Sequence, residues 1–303
     1  MRVLVTGSSG FLGPHIVRHL ASGANCDVTG FDLQAPPDHL FPAIEADFCD
    51  LGAIRQAVRG MDAVVHLGGV GDVYLATARP ELAAQANVVG TTNVAIAAAE
   101  AGARVVYAST WEVYGPPSRT PVDEQHPCRP GHIYGATKLA GEQILNAVHQ
   151  HDNLPVIVLR LGTAYGPGMR PNTVFSRFAD AARAGQPLLV QGSGGQWRQF
   201  THTSDIARAV ALAVASDVED ATLNVVADES VTILGLAELA AKRYRSTVTF
   251  GPERHGDPPS ARIASAAAAR TLGWRPEVVF EQGLAELFGD LDARHNARPV
   301  SGD

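Results

Sequence analysis

The stretch "VLVTGSSGFLG", residues 3–13, decides the fold. Val3, Leu4 and Val5 form an apolar run without alternation, and Gly7, Gly10 and Gly13 then punctuate the step into a helical pattern over 12–22. An unbroken apolar run of this length marks a strand covered on both faces. Glycines directly after it permit a tight turn whose backbone can approach a pyrophosphate at a helix N-terminus. The next run, "CDVTGFD" (26–32), ends in Asp32, about 20 residues beyond the last glycine. An acidic side chain there would hold the adenosine ribose hydroxyls and repel a 2′-phosphate, which favours NAD over NADP.

Outward from this unit the pattern repeats. "DAVVHLGG" (62–69), "ARVVYAST" (103–110) and "PVIVLRLGT" (155–163) read as further buried strands, with helical patterns at 51–59, 81–101 and 134–150. The fold class expected is α/β: a Rossmann-type doubly wound parallel sheet with a smaller, discontinuous C-terminal substrate-binding domain. After residue 165 the alternation loosens into "YGPGMRP", "VQGSGGQWRQ" and "GPERHGDPPS", between helical segments at 173–184, 204–215 and 232–244. "ATLNVV" (221–226) reads as a strand returning to the main sheet. The expected division is a nucleotide-binding domain over 1–165 with returning segments at about 200–228, a substrate-binding part over 166–199 and 229–291, and a frayed tail over 292–303.

Composition narrows the function classes. With 46% hydrophobic and 18% charged residues the chain is globular in type, and a formal charge of −7 without a Lys/Arg run argues against a nucleic-acid partner. No stretch of some 18 unbroken apolar residues suggests a membrane span, and the opening "MRVLVTG" lacks a leader pattern. Cys26, Cys49 and Cys128 are odd in number and widely spaced. A reducing, cytoplasmic setting is expected. The eleven histidines are scattered without a ligand set, so no metal is expected.

The chemistry concentrates in two places. In "YGATKLAGEQIL" (134–145), Tyr134 and Lys138 are four apart on a predicted helix and project from one face. An ammonium near a phenol favours the phenolate, which makes Tyr134 a candidate base. In "STWEVYG" (109–115), Ser109, Thr110 and Glu112 stand at the end of a core strand.

The glycine spacing and these groups together resemble the extended short-chain dehydrogenase/reductase family, in its NAD-dependent nucleotide-sugar epimerase/dehydratase branch (UDP-glucose 4-epimerase-like). The likeness runs from Met1 to about Pro276. It implies cofactor contacts at Gly7, Gly10, Phe11, Leu12, Gly13 and Asp32, at Asp47 and Phe48 of "ADFCD", and at Leu67, Gly68 and Gly69. Asn87 of "NVVGT", Ser109, Tyr134 and Lys138 complete that set. Catalytic roles fall on Thr110, Tyr134 and Lys138. Glu112 matches the Thr-x-Glu of many dehydratases and decarboxylases, and in a dehydratase it would be the base at C5, but Trp111 replaces the Asp that serves as acid in one dehydratase group.

The same resemblance places substrate contacts at Thr110, at Thr163 where the family usually has Asn, at Asn172, at Arg198 followed by Gln199 in place of Asp, and at Arg254. It implies a homodimer built as a four-helix bundle from the helices at 81–101 and 134–150. The leading expectation is an NAD-dependent nucleotide-sugar 4-epimerase working through a transient 4-keto sugar. A 4,6-dehydratase or decarboxylase using Glu112, a sugar dehydrogenase, and a non-catalytic NAD-binding regulator stay open beside it.

Overall fold

The computed structural model describes residues 1–24, 26–36, 41–253 and 260–297. Its first half runs β1 (Arg2–Thr6), α1 (Gly13–Gly23), β2 (Asp27–Asp32), β3 (Ala43–Glu45), α2 (Leu51–Val58), β4 (Ala63–His66), α3 (Val73–Ala78) and α4 (Pro80–Ala84). A π-helical turn (Gln85–Gly90) leads into α5 (Thr91–Ala101) and β5 (Arg104–Thr110), and a 3₁₀ turn (Trp111–Tyr114) precedes α6 (Ile133–Asp152) and β6 (Val156–Leu161). The second half comprises β7 (Thr163–Tyr165), α7 (Val174–Arg183), β8 (Leu188–Gln191), β9 (Trp197–Arg198), β10 (Phe200–His202), α8 (Thr203–Ala215) and β11 (Asp220–Val225). It closes with β12 (Val231–Thr232), α9 (Ile233–Tyr244), β13 (Val248–Gly251), α10 (Ala266–Leu272) and α11 (Phe280–Asn296).

Seven parallel strands form the central sheet in the order β11-β6-β5-β4-β1-β2-β3. Alternation along each strand sends successive side chains to opposite layers. Val3, Val5, Val65 and Val106 pack with Ile16 and Leu20 of α1 and with Ile206 and Val210 of α8. Leu4, Val64, Val105 and Tyr107 pack on the other side with Ile54 of α2, Val94 of α5 and Leu145 of α6. Both faces being covered is why these strands read as continuous apolar runs. A separate aromatic cluster, including Tyr165, Phe175, Phe178, Phe200, Phe280 and Phe288, holds β7, α7, β10 and α11 together.

Strand order reverses between β1 and β4, and the loops after those two strands meet. Gly7, at φ +70°, has room for no side chain: a Cβ there would lie 2.7 Å from the Gly68 backbone nitrogen. Gly13 is just as tight, since its Cβ would come within 2.1 Å of the Ser8 carbonyl oxygen.

Two expectations need correction. The helix expected over 81–101 is interrupted by the π-helical turn, where Gly90 faces the Phe48 ring so closely that a Cβ would fall 2.2 Å from it. The frayed tail expected from residue 292 overlaps the last turns of α11. Asp292 is fixed there by Arg183 at 2.6 Å, Arg243 at 2.9 Å and the Tyr244 hydroxyl at 2.9 Å. Polar residues that looked solvated in sequence are paired across elements. No helix among the described residues is long and apolar enough to cross a membrane.

Candidate active site

The glycine turn joins β1 to α1. Gly10 N–H donates to the Gly7 carbonyl at 3.1 Å, and α1 then starts at Gly13 without a side-chain cap. Its first amides are thus available to an anion. Phe11 packs against the aromatic cluster of the second half, while Leu12 joins the α1/α8 core layer. At the end of β2, Asp32 accepts from Ser9 N–H at 2.8 Å and Leu33 N–H at 2.7 Å. The carboxylate therefore hangs beside the glycine turn. Asp47 is exposed and accepts from Cys49 N–H at 2.8 Å, and Phe48 is buried edge-on to His66. Gly68 N–H donates to Thr6 Oγ1 at 3.2 Å, which draws the loop with Leu67 and Gly69 onto β1.

Two expected cofactor residues point their polar atoms into protein. Asn87 is 1% exposed; its Oδ1 accepts from Val70 N–H at 2.8 Å, and its Nδ2 donates to Val70 O at 3.1 Å and Thr137 Oγ1 at 2.9 Å. It fixes the loop after β4 against α6. Ser109 donates to Glu142 Oε1 beneath the sheet end. Glu142 is paired with Arg160 at 2.7 Å, both nearly buried, and Arg160 donates to the Tyr114 hydroxyl at 3.0 Å.

Above this network stand the catalytic candidates. Thr110 closes β5 and accepts from Glu112 N–H at 3.3 Å, capping the 3₁₀ turn. Its hydroxyl also lies near enough to the Tyr134 phenol to favour the phenolate. Tyr134 and Lys138 occupy one face of α6, as their spacing requires. Burial and the Glu112 charge hold the Tyr134 phenol above its ordinary range, and the Thr110 contact pulls the other way. Burial lowers Lys138 to about 8, with Glu142 opposing, so the amine is mostly charged at neutral pH. Its Nζ sits 4.6 Å from the centroid of the Tyr107 ring. Burial pushes Glu112 up to about 7 against the opposing charge of Arg198.

A small cavity beside Glu112 is lined by Trp111, Thr163, Trp197, Arg198, Gln199 and Ser260, among others. Arg198 Nη1 donates to Trp197 O at 2.8 Å. Gln199 is a staple: its amide binds Ala227 O at 2.7 Å and the backbone of Ile263 at 2.7 and 3.2 Å. Thr163 and Arg198 share that cavity, and the charge of Glu112 is felt by Tyr134 while Arg198 acts on Glu112 in turn. Asn172 sits instead on the exposed turn before α7, with φ +64°, and is not among the residues lining that cavity. Arg254 lies outside the described residues. The sequence reading missed Trp197, Tyr107, Glu142 and Arg160. Glu142 carried a legible signal, one further turn beyond Lys138 in "KLAGE".

The sequence model of the NAD-dependent epimerase/dehydratase family matches residues 3–226. The chain belongs to that family. The chain is 30% identical over 306 residues to a dTDP-glucose 4,6-dehydratase of Streptomyces niveus, covering 94% of this chain and 91% of that protein. Among solved structures, MoeE5 in complex with UDP-glucuronic acid and NAD superposes with a TM-score of 0.88 at 31% identity, covering 97% of this chain and all of that one. A UDP-glucuronic acid 4-epimerase from Bacillus cereus, in complex with UDP-glucuronic acid and NAD, gives a TM-score of 0.88 at 25% identity, with coverage of 97% and 100%. The family is one of NAD-dependent enzymes.

Proposed function

We propose that this epimerase/dehydratase is a nucleotide-sugar 4-epimerase. The observation that carries the reading is the run from Thr110 and Tyr134 through Glu112 to Arg198 on the Trp111-lined cavity. In this reading Tyr134 removes the proton from the sugar O4 and returns it, Thr110 orients that hydroxyl, and Lys138 holds positive charge behind the phenol. When bound, oxidised NAD supplies further positive charge and the acceptor for hydride. The residues proposed to hold it are those of the glycine turn, Asp32, and the loop after β4, where a Cβ at Gly7 or Gly68 would collide with neighbours. Arg198 is proposed to grip the diphosphate with charge-assisted hydrogen bonds.

Trp111 favours epimerisation over water loss. Its indole N–H is a donor of very weak acidity, so the position offers no acid for a departing hydroxyl. Loss of the C6 hydroxyl would therefore lack a proton donor at this position. A second reading, dehydratase or decarboxylase, is favoured by Glu112, because a carboxyl raised to about 7 is matched to proton abstraction near neutral pH. Exposed Leu82 and Val89 support a homodimer through the 80–101 segment, and three unpaired cysteines support a cytoplasmic setting.

The test is turnover of UDP-glucuronic acid, UDP-glucose and dTDP-glucose, with products identified by mass spectrometry and NMR. A product of unchanged mass inverted at C4 is expected. Loss of water or of carbon dioxide would replace the leading reading with the second. Tyr134→Phe should lower turnover at least ~100-fold under either.

A further inference from the structure

His132 is absorbed by nothing above, yet it touches both acid–base candidates. Its Nδ1 accepts from Gly135 N–H at 3.1 Å, capping α6 one residue before the helix begins. That acceptor role puts the ring proton on Nε2 in the neutral imidazole. Nε2 lies 3.9 Å from Glu112 Oε2. At that separation the contact is one of charge and dipole rather than a hydrogen bond. The flat of the same ring faces Tyr134, with centroids 6.1 Å apart and planes 7° from parallel. Gly135 permits this approach: a Cβ there would lie 2.9 Å from the Glu112 carbonyl oxygen and 3.3 Å from His132 Cε1.

We propose that His132 is a positioning residue, whose ring, pinned by the α6 cap, couples the charge state of Glu112 to the environment of Tyr134. The proposal rests on the reading of Tyr134 as the base. The charged and titratable groups set against Glu112 among the described residues are His132 before α6, Tyr134 on α6 and Arg198 on β9. Arg198 favours the carboxylate from one side. The Nε2–H edge of His132 favours it from the other, while a charged Glu112 opposes ionisation of Tyr134. His132 therefore stands where it can stabilise the negative charge that the phenol must work beside.

Reciprocal titrations test this. In protein carrying ¹⁵N-histidine, with the resonance assigned by its loss in His132→Asn, Glu112→Gln should lower the imidazole midpoint, which burial already holds below the ordinary range, by ~0.3 pH unit or more, because the ionised fraction of Glu112 favours the cation. In protein carrying carboxyl-¹³C glutamate, His132→Asn should raise the Glu112 midpoint by a similar amount. Asparagine keeps a capping oxygen for α6, and the Glu112→Gln arm leaves His132 in place. Both midpoints unmoved would overturn the proposal. On UDP-glucuronic acid near pH 7, His132→Asn should raise kcat modestly, by up to ~2-fold, with KM little changed, and add little in a Glu112→Gln background. Shifted midpoints with no turnover would instead count against the functional reading alone.

Discussion

The ammonium of Lys138 lies over the face of Tyr107, a buried ring that is itself stacked on His66 with centroids 5.5 Å apart. The stack gives the amine an electron-rich partner at a position where burial depresses its basicity. Burial also drives His66 down to about 3, so the imidazole below stays neutral and adds no competing charge.

Replacing Tyr107 by leucine should therefore make Lys138 a weaker base. The alkaline limb of the pH–rate profile, set by an amine near 8, is expected to move down by about 0.5–1 pH unit, with the maximal rate less affected. Steady-state rates between pH 6 and 10 measure it, and an unmoved limb would show that the ring is only packing.

Glu142→Gln should be costly to the fold. The pair with Arg160 is 7–8% exposed, and removing the anion leaves a buried guanidinium without its counter-charge. A loss of about 3–5 kcal/mol is expected in urea denaturation. Replacing the exposed Glu100, which pairs with Arg55 at 2.6 Å, should change stability far less and serves as the comparison.

Glu112 makes stability depend on pH. Its folded midpoint, about 7, lies above the ordinary 4.5, so between those values the native state holds a proton that the unfolded chain releases. Stability from this group is full below 4.5 and is lost as pH rises through 7. Glu112→Gln should therefore gain on the unmutated protein by about 1–2 kcal/mol between pH 5 and pH 8, a value discounted for partial exposure. Thermal melts at the two pH values decide it.

Asp32→Ala should weaken NAD binding at least ~10-fold and narrow the preference over NADP, since both a ribose acceptor and a repelling charge are removed. Ser9 and Leu33 also lose their acceptor, so the glycine turn should loosen. Equal affinity of the unmutated protein for both cofactors, by calorimetry, would contradict the role given to Asp32.

The glycine turn and the end of β2 were legible because each of their constraints is local. A turn that admits no Cβ at Gly7 must be written as glycine, and an acceptor at the end of β2 must be an acid such as Asp32. Tyr134 and Lys138 were legible for the same reason, being one helical turn apart. What escaped depends on distant pairs. Arg160 and Glu142 are 18 positions apart and look solvent-borne until α6 and β6 pack together. Gln199 looked like a variant ligand, but its partners at 227 and 263 cannot be read from its neighbours. His132 drew no reading of its own in the sequence, because a cap and a ring stack leave no periodic trace.

The outermost strand on one side of the sheet has a bearing on how the chain is made. β6 ends at Leu161, but β11, which covers its free edge, begins at Asp220. As the polypeptide leaves the ribosome, some sixty residues must follow before that edge is closed, a delay of several seconds at ordinary elongation rates. During that interval the newborn protein carries a bare template of unpaired amides and carbonyls. Truncations just short of residue 220 should thus be prone to self-association, and chaperone demand should peak at that length.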